Sequence, residues 1–291
     1  MTLSGLLIPN KVAFIIFRSI SGLGFGMLVP SLVAMVSDKE DKIGNFSSFG
    51  SVGWALGVLI SGILGLFWIP AIFIFGVLAL AGSTTVAFTL KEEFFAKSKK
   101  LIEDNVLMVF WRRKSAYLSL GIRHSFASAI WTYWPLFLAD LGADTFWIAI
   151  IQCTNALTQF IIMQIYTDRL GSERMIILGL SFSALAFYLF TLPTDFWGII
   201  PTQVILGISW AFLWVGSLRY SIEKSNFDRS TSAGILTSTQ SISGILGPLI
   251  ALLIISWGGN YVDIMLIATI ATLITLLMFL FKSIIRNKSL K

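Results

Sequence analysis

Apolar residues run along this chain in long blocks, and its polar residues collect in short clusters between them. Nine blocks approach the roughly 20 residues that a bilayer-crossing helix needs: 12–36, 47–67, 69–90, 115–139, 145–166, 175–193, 196–218, 233–257 and 261–281. A helix satisfies its own backbone in lipid, and no short alternating pattern marks barrel strands. The expected class is an all-α polytopic membrane protein with nine transmembrane helices. Residues 1–11 carry one short apolar run, Leu3–Pro9, and no basic leader, so they do not read as a signal peptide.

Composition narrows the choice further. Of 291 residues, 56% are apolar and only 12% are charged, against about 25% charged in a soluble domain. A mean hydropathy of +0.85 leaves too little polar surface to coat a globule. This argues against a soluble enzyme, a disordered tail and a nucleic-acid binder. Cys153 is the only cysteine and His124 the only histidine. An intrachain disulfide, a multi-cysteine metal site and the two-histidine zinc-protease helix are therefore excluded. No metal or cofactor is expected.

The net charge of +6 is explained by where the charge sits. Eighteen of the 21 basic residues fall after odd-numbered spans, on one side of the expected bilayer. Lys11 alone lies on the other side, and Arg18 and Arg123 lie within spans. That asymmetry is the positive-inside pattern. It predicts a multi-pass plasma-membrane protein with its N-terminus outside and its C-terminus in the cytoplasm. The basic excess then faces the anionic inner leaflet, and a nucleic-acid partner is not needed.

The longest connection, 91–114, holds seven basic residues and the acids Glu92, Glu93, Glu103 and Asp104. It divides the chain into 1–90, a cytoplasmic central loop at 91–114, and 115–291. An internal repeat crosses that division. Asp41-Lys42 corresponds to Asp228-Arg229, and Gly50, Trp54, Gly57 and Ser61 fall on Thr237, Ser241, Gly244 and Pro248 at one common offset. The 4, 3, 4 spacing makes each set a helical stripe, mostly of small residues that let helices approach closely in lipid. Spans 1–3 thus pair with spans 7–9. Spans 4–6 have no counterpart, and symmetry predicts three further helices before Met1, with Leu3–Pro9 as the end of the last.

These features resemble the major facilitator superfamily. Arg18-Ser-Ile-Ser-Gly22-Leu-Gly24-Phe-Gly26 is similar to the family's helix 4 pattern, with serine in place of the usual glutamine. Ser48, Gly57, Ser61, Gly62 and Gly65 partly match its helix 5 antiporter pattern, with serine replacing two glycines and Gly62 replacing the proline. Asp168-Arg169-Leu170-Gly171, with Arg174, resembles the signature loop between helices 8 and 9, although Gln164 stands where a glycine is usual. Gly244, Gly247 and Pro248 fall where helix 11 is expected. The resemblance spans the chain as helices 4 to 12 of a twelve-helix fold: helices 4–6 in 1–90 and helices 7–12 in 115–291. It implies alternating access, two halves rocking about a central site, and a small-molecule substrate in a lipid bilayer. Proton coupling and export are further expectations.

Polar residues within spans are the functional candidates. Arg18 lies about 9 Å inside its span at 1.5 Å per residue. Its head either snorkels to the interface or meets an anion or a proton-carrying acid. Arg123 either snorkels inward or binds a phosphate or carboxylate of the substrate. His124 shares a face with Ser128, Trp131 and Pro135, as a hydrogen-bonded packing residue or as a proton carrier. Gln152, Asn155 and Gln159 form a polar stripe on span 5, directed at neighbouring helices or at an aqueous cavity. Gln203, Gly207, Trp210 and Trp214 share a face of span 7, where Trp210 can stack on a flat or cationic ligand. The resemblance implies that Gly22, Gly57, Gly62, Gly244 and Pro248 pack helices, and that Asp168, Arg169 and Gly171 form a gate latch. The alternative for that loop is a solvated turn. Span 3, span 6 and the interior of span 9 hold no ionisable, Asn or Gln side chain, and these spans are expected to be peripheral supports.

Two other function classes remain beside transport. A membrane enzyme would need paired carboxylates, a metal set or an activated nucleophile, and no acid lies deep in a span. A transporter-derived fragment without activity of its own is the second, because three helices of the symmetric fold would be missing.

Overall fold

A computed structural model describes residues 32–33, 43–89, 105–223 and 229–289. Eight long helices account for most of them: α1 (Ile43–Phe67), α2 (Ile69–Thr89), α3 (Val106–Asp140), α4 (Thr145–Ile165), α5 (Ser172–Leu189), α6 (Ile199–Ile222), α7 (Arg229–Ser256) and α8 (Tyr261–Ser289). No strand occurs among the described residues. The boundaries follow spans 2 to 9 within a few residues, except that α3 begins at Val106, well before 115, and α8 runs on to Ser289, well past 281. Span 1, with Arg18 and Gly22, lies outside the described residues except for Leu32 and Val33, so the structure does not count nine helices.

Seven of the eight helices are long and apolar enough to cross a membrane. The exception is α3, which carries Arg112, Arg113, Lys114, Arg123 and His124. It begins at Val106, inside the segment expected as the central loop. Its backbone leaves helical geometry at Arg113 (φ −123°, ψ 15°), where an N-terminal piece breaks from the span proper. The break coincides with the basic cluster. Lys114 Nζ lies 4.4 Å from the centre of the Trp111 ring, and the Arg113 guanidinium lies 5.6 Å from that of Tyr220. Arg113 also donates to the Glu223 carbonyl. Cations and aromatic rings gathered at a helix end are what an interfacial anchor requires.

The turns at the opposite end are short and capped. Asp144 accepts from the Trp147 N–H at 2.9 Å and starts α4. Asn260 accepts from Val262 N–H at 2.8 Å, while Asp263 accepts from Asn260 N–H at 2.8 Å, a reciprocal cap that starts α8. Gly142 (φ 89°) and Gly258 (φ 86°) supply the left-handed residues these reversals need.

The strongest packing pairs are α3 with α7, α5 with α6, and α1 with α4. Lipid tails give apolar helices no reason to leave them for one another, so close packing has to hold the bundle together. Gly62 of α1 sits against Ala149 of α4, and Gly44 against Thr167 and Asp168. Gly247 of α7 lies on the backbone of Ser128 and Ala129 in α3. Two stripe glycines stand apart from these contacts. Around Gly57 and Gly244, no described neighbour lies within 4 Å of an added Cβ. Pro248 is exposed. Its ring leaves the Gly244 carbonyl without a helical N–H.

Two hydrophobic clusters form the interior. One gathers Tyr117, Leu120, Met163, Met175 and Leu213, and the other Ala127, Trp134, Ile151, Phe187 and Leu206. Along α3, Leu120 belongs to the first and Ala127 to the second. Arg123 and His124 fall in the seam between them.

Candidate functional site

That seam opens into a cavity of about 310 Å³, lined by Trp54, Arg123, His124, Trp131, Asn155, Gln159, Leu206, Trp210 and Gln240. Its walls come from α1, α3, α4, α6 and α7, so it lies between the N-terminal part of the chain and the rest. Known ligand sites run from about 300 to 1,000 Å³, and this one is at the small end.

Arg123 is 2% exposed and does not reach the interface. Its Nε donates to Ser183 Oγ at 2.8 Å and its Nη2 to Ser209 Oγ at 3.4 Å. The two serines hydrogen-bond one another, and Ser209 Oγ donates to the Gly179 carbonyl at 3.1 Å. The guanidinium carbon lies 5.1 Å from the Phe187 ring centre and 5.4 Å from that of Trp210. Ser183 and Phe187 belong to α5, the sixth span, expected as a peripheral support. A serine is not ionisable, so a search for charged intramembrane residues passes over it.

His124 lies beside Trp210, ring centres 5.1 Å apart, and Trp210 stacks on Trp214 at 5.7 Å. His124 Nδ1 is buried without a hydrogen-bond partner. Of its expected face-mates, Trp131 lines the cavity, Ser128 meets Gly247, and Pro135 is exposed. Trp214 is half-buried in this stack.

The α4 stripe divides. Asn155 and Gln159 line the cavity while also bonding sideways. Asn155 Nδ2 donates to Gln203 Oε1 at 2.9 Å, Gln159 Nε2 donates to Asn155 Oδ1, and Ser51 Oγ donates to Gln159 Oε1 at 3.1 Å. This amide chain ties α6, α4 and α1 together at cavity depth. Gln203 is fully buried behind Asn155 and does not line the cavity, and Gln152 also lies outside it, its Oε1 buried and unpartnered.

Three wall residues are absent from the expected set: Trp54, Leu206 and Gln240. Gln240 carried a usable signal, because it is the only glutamine in the eighth span. Trp54 was legible only as a member of the repeat stripe. Leu206 had no signal, since an apolar wall residue looks like any lipid-facing leucine.

The loop after α4 makes the second site. Asp168 Oδ1 accepts from the Gly44 backbone N–H at 3.3 Å, at the start of α1. Gln164 Nε2 donates to Asn45 Oδ1 at 2.9 Å and to Ser48 Oγ at 2.7 Å. Thus Gln164, which departs from the expected glycine, fastens the same helix. Arg219 Nη1 donates to the Thr167 carbonyl at 2.9 Å and holds the loop's shape. Ser172 Oγ donates to Glu223 Oε2 at 2.8 Å. Arg169 and Gly171 are exposed, and Gly171 has an ordinary φ of −68° with no neighbour within 4 Å of an added Cβ.

A family profile described as MFS_1 like family matches residues 12–260. The match takes in every cavity residue and every described helix except α8. No curated protein sequence matches the chain.

Proposed function

This chain belongs to the major facilitator superfamily, and from that premise we propose that it is a secondary transporter moving a small organic solute by alternating access. Members of the family are membrane transporters, not enzymes, and the apolar helices make the chain an integral membrane protein. The observation that carries the proposal is the cavity: polar and aromatic side chains converge at mid-depth, between two hydrophobic clusters, from five helices. Intramembrane polar residues are expensive, and a binding site is the usual reason for keeping them.

Arg123, His124, Trp131, Asn155, Gln159 and Trp210 are the substrate-facing residues in this reading. Gln203 acts through Asn155, and Gln152 is left as a packing residue. The reading includes proton coupling, supported by His124, the only histidine, which lines the cavity and keeps a buried ring nitrogen without a partner among the described residues. Export is the favoured direction, on the partial Ser48–Gly65 pattern alone. The location is the plasma membrane, with the N-terminus outside, on the asymmetry of basic residues. A tag fused before Met1 should be reached by antibody in intact cells, and detection only after permeabilisation would reverse the orientation.

Proteoliposomes holding the purified chain and a mixture of small organic solutes should lose some of them faster than protein-free liposomes. A pH gradient should change that rate. Equal loss from both preparations would favour the inactive-fragment alternative. Loss that ignores the gradient would remove proton coupling alone.

In the same reading, Asp168 latches α1 to the loop after α4 when the basic end of the bundle is closed. A carboxylate at a helix N-terminus accepts orphan N–H groups and meets the positive end of the helix dipole. Asp168→Ala should weaken the closed state by about 1 kcal/mol, about five-fold in population. Spin labels at the exposed positions Phe49 and Tyr166 would report a larger share of long distances. An unchanged distance distribution would remove the latch role.

A further inference from the structure

We infer that the solute is an organic anion, a carboxylate or similar oxyanion carried on a flat ring. This deepens the transport reading and rests on it.

The first ground is a charge without a counter-charge among the described residues. Arg123 is almost wholly buried, and neither its hydrogen bonds nor the cavity wall includes an Asp or Glu. Guanidinium has five N–H donors and no acceptor, and it cannot shed its charge as a lysine can. Two donors go to serine hydroxyls, which carry no charge to offset it. Nη1 has no partner among the described residues and does not belong to the buried unpartnered atoms, so its surface opens on the cavity. A cation held in low dielectric is strongly unfavourable until an anion joins it. A bidentate oxyanion fits the fork geometry of those remaining donors.

The second ground is the shape of the wall beside that charge. Trp54, Trp131 and Trp210 line the cavity with His124. Trp210 is backed by Trp214 at 17° between ring planes, so its indole is held as a fixed plate. The guanidinium sits 5.4 Å from the same Trp210 ring, which brings oxyanion and ring contacts within one small molecule's reach. Asn155, Gln159 and Gln240 add neutral amides to the wall, which can hydrogen-bond polar ring substituents without repelling an anion. A cationic solute would find aromatic faces here, but it would also meet Arg123 with no acid among the described wall residues to shield it. That repulsion in low dielectric outweighs a cation–π contact of about 0.5–2 kcal/mol.

The experiment uses the full chain in nanodiscs and a set of shape-matched probes: 2-naphthoate, 2-naphthamide and 2-naphthylmethylammonium. Binding is read by quenching of intrinsic tryptophan fluorescence and by the shift in unfolding temperature. Naphthoate is expected to bind at least ten-fold more tightly than the amide, and the ammonium compound more weakly still. In Arg123→Gln the preference for naphthoate over the amide should vanish. In Trp210→Leu both ligands should weaken together while the preference stays. The wild-type comparison stands even if Arg123→Gln does not fold. Amide or ammonium binding as tight as naphthoate binding overturns the proposal, as does the absence of naphthoate binding. Counterflow of the same probes in proteoliposomes separates the two levels of argument. Exchange of the ammonium compound but not naphthoate keeps the transporter and removes the anion. Naphthoate binding without exchange of any probe keeps the anion site and removes transport.

Discussion

Arg123→Met should unfold at a higher temperature than the parent chain when no ligand is present, and it should exchange none of the carboxylates the parent exchanges. The parent holds a guanidinium in the interior with two neutral hydroxyls as its hydrogen-bond partners. Removing that charge removes its desolvation penalty. It orphans nothing: Ser183 and Ser209 keep their mutual bond, and Ser209 keeps the Gly179 carbonyl. Methionine is flexible enough to lie along Phe187 and Trp210, where the arginine stem and head now lie. The expected gain is about 1–2 kcal/mol, the size typical of relieving a functional site of its strain. Thermal unfolding of the purified proteins, followed by counterflow of any exchanged carboxylate, measures both halves. A lower unfolding temperature would mean that the guanidinium is net stabilising where it stands, and the argument from an uncompensated charge would fail.

Gly62→Leu is expected to abolish the folded bundle. A Cβ at Gly62 would meet the Ala149 methyl well inside van der Waals contact, with the Thr145 carbonyl 3.9 Å away. Both partners are on helical backbone, so relief requires the helices to part. Overpacking commonly costs about 1–3 kcal/mol, and more where the backbone has to move. Separating α1 from α4 would also strain the Ser51–Gln159 and Gln164–Asn45 bonds. Gly171→Ala is the control, because that site has free space and ordinary backbone angles, and it should stay within about 0.5 kcal/mol of the parent. Size-exclusion profiles and melting curves in mild detergent distinguish the two variants. A Gly62→Leu protein that elutes and melts like its parent would mean that α1 does not seat on α4 in this way.

The two results bear on different properties of the chain. Gly62 concerns how α1 and α4 approach, which membrane folding depends on because lipid offers no hydrophobic drive for association. Arg123 concerns a site held at the expense of stability, the trade-off expected where function needs a group that folding disfavours.

Element positions were readable because each span must satisfy its own backbone and face mainly lipid. Both demands act locally and leave a continuous apolar run. The break at Arg113 was not readable, because a basic cluster before a span reads as loop whether or not it is helical. Arg123 was readable as a buried charge, but its surroundings were not. Those depend on Ser183, Phe187 and Ser209, which arrive from 60 to 86 residues further along the chain. Asn155 and Gln159 were readable as a stripe. That the stripe both bonds sideways and lines a cavity depended on Gln203 and Ser51 reaching it from two other helices.

By itself, then, the sequence determined the class of the protein, the positions of most of the helices, the side on which basic residues gather, and the family. Each of these is set by local hydrophobicity, charge and spacing. Only the tertiary structure decided which of the singled-out residues meet, which glycines carry helix contacts, and that the buried arginine faces a cavity with no acid among the described residues that line it. Those outcomes depend on how the helices rotate and pack, a choice made by long-range contact and not by any single stretch of chain.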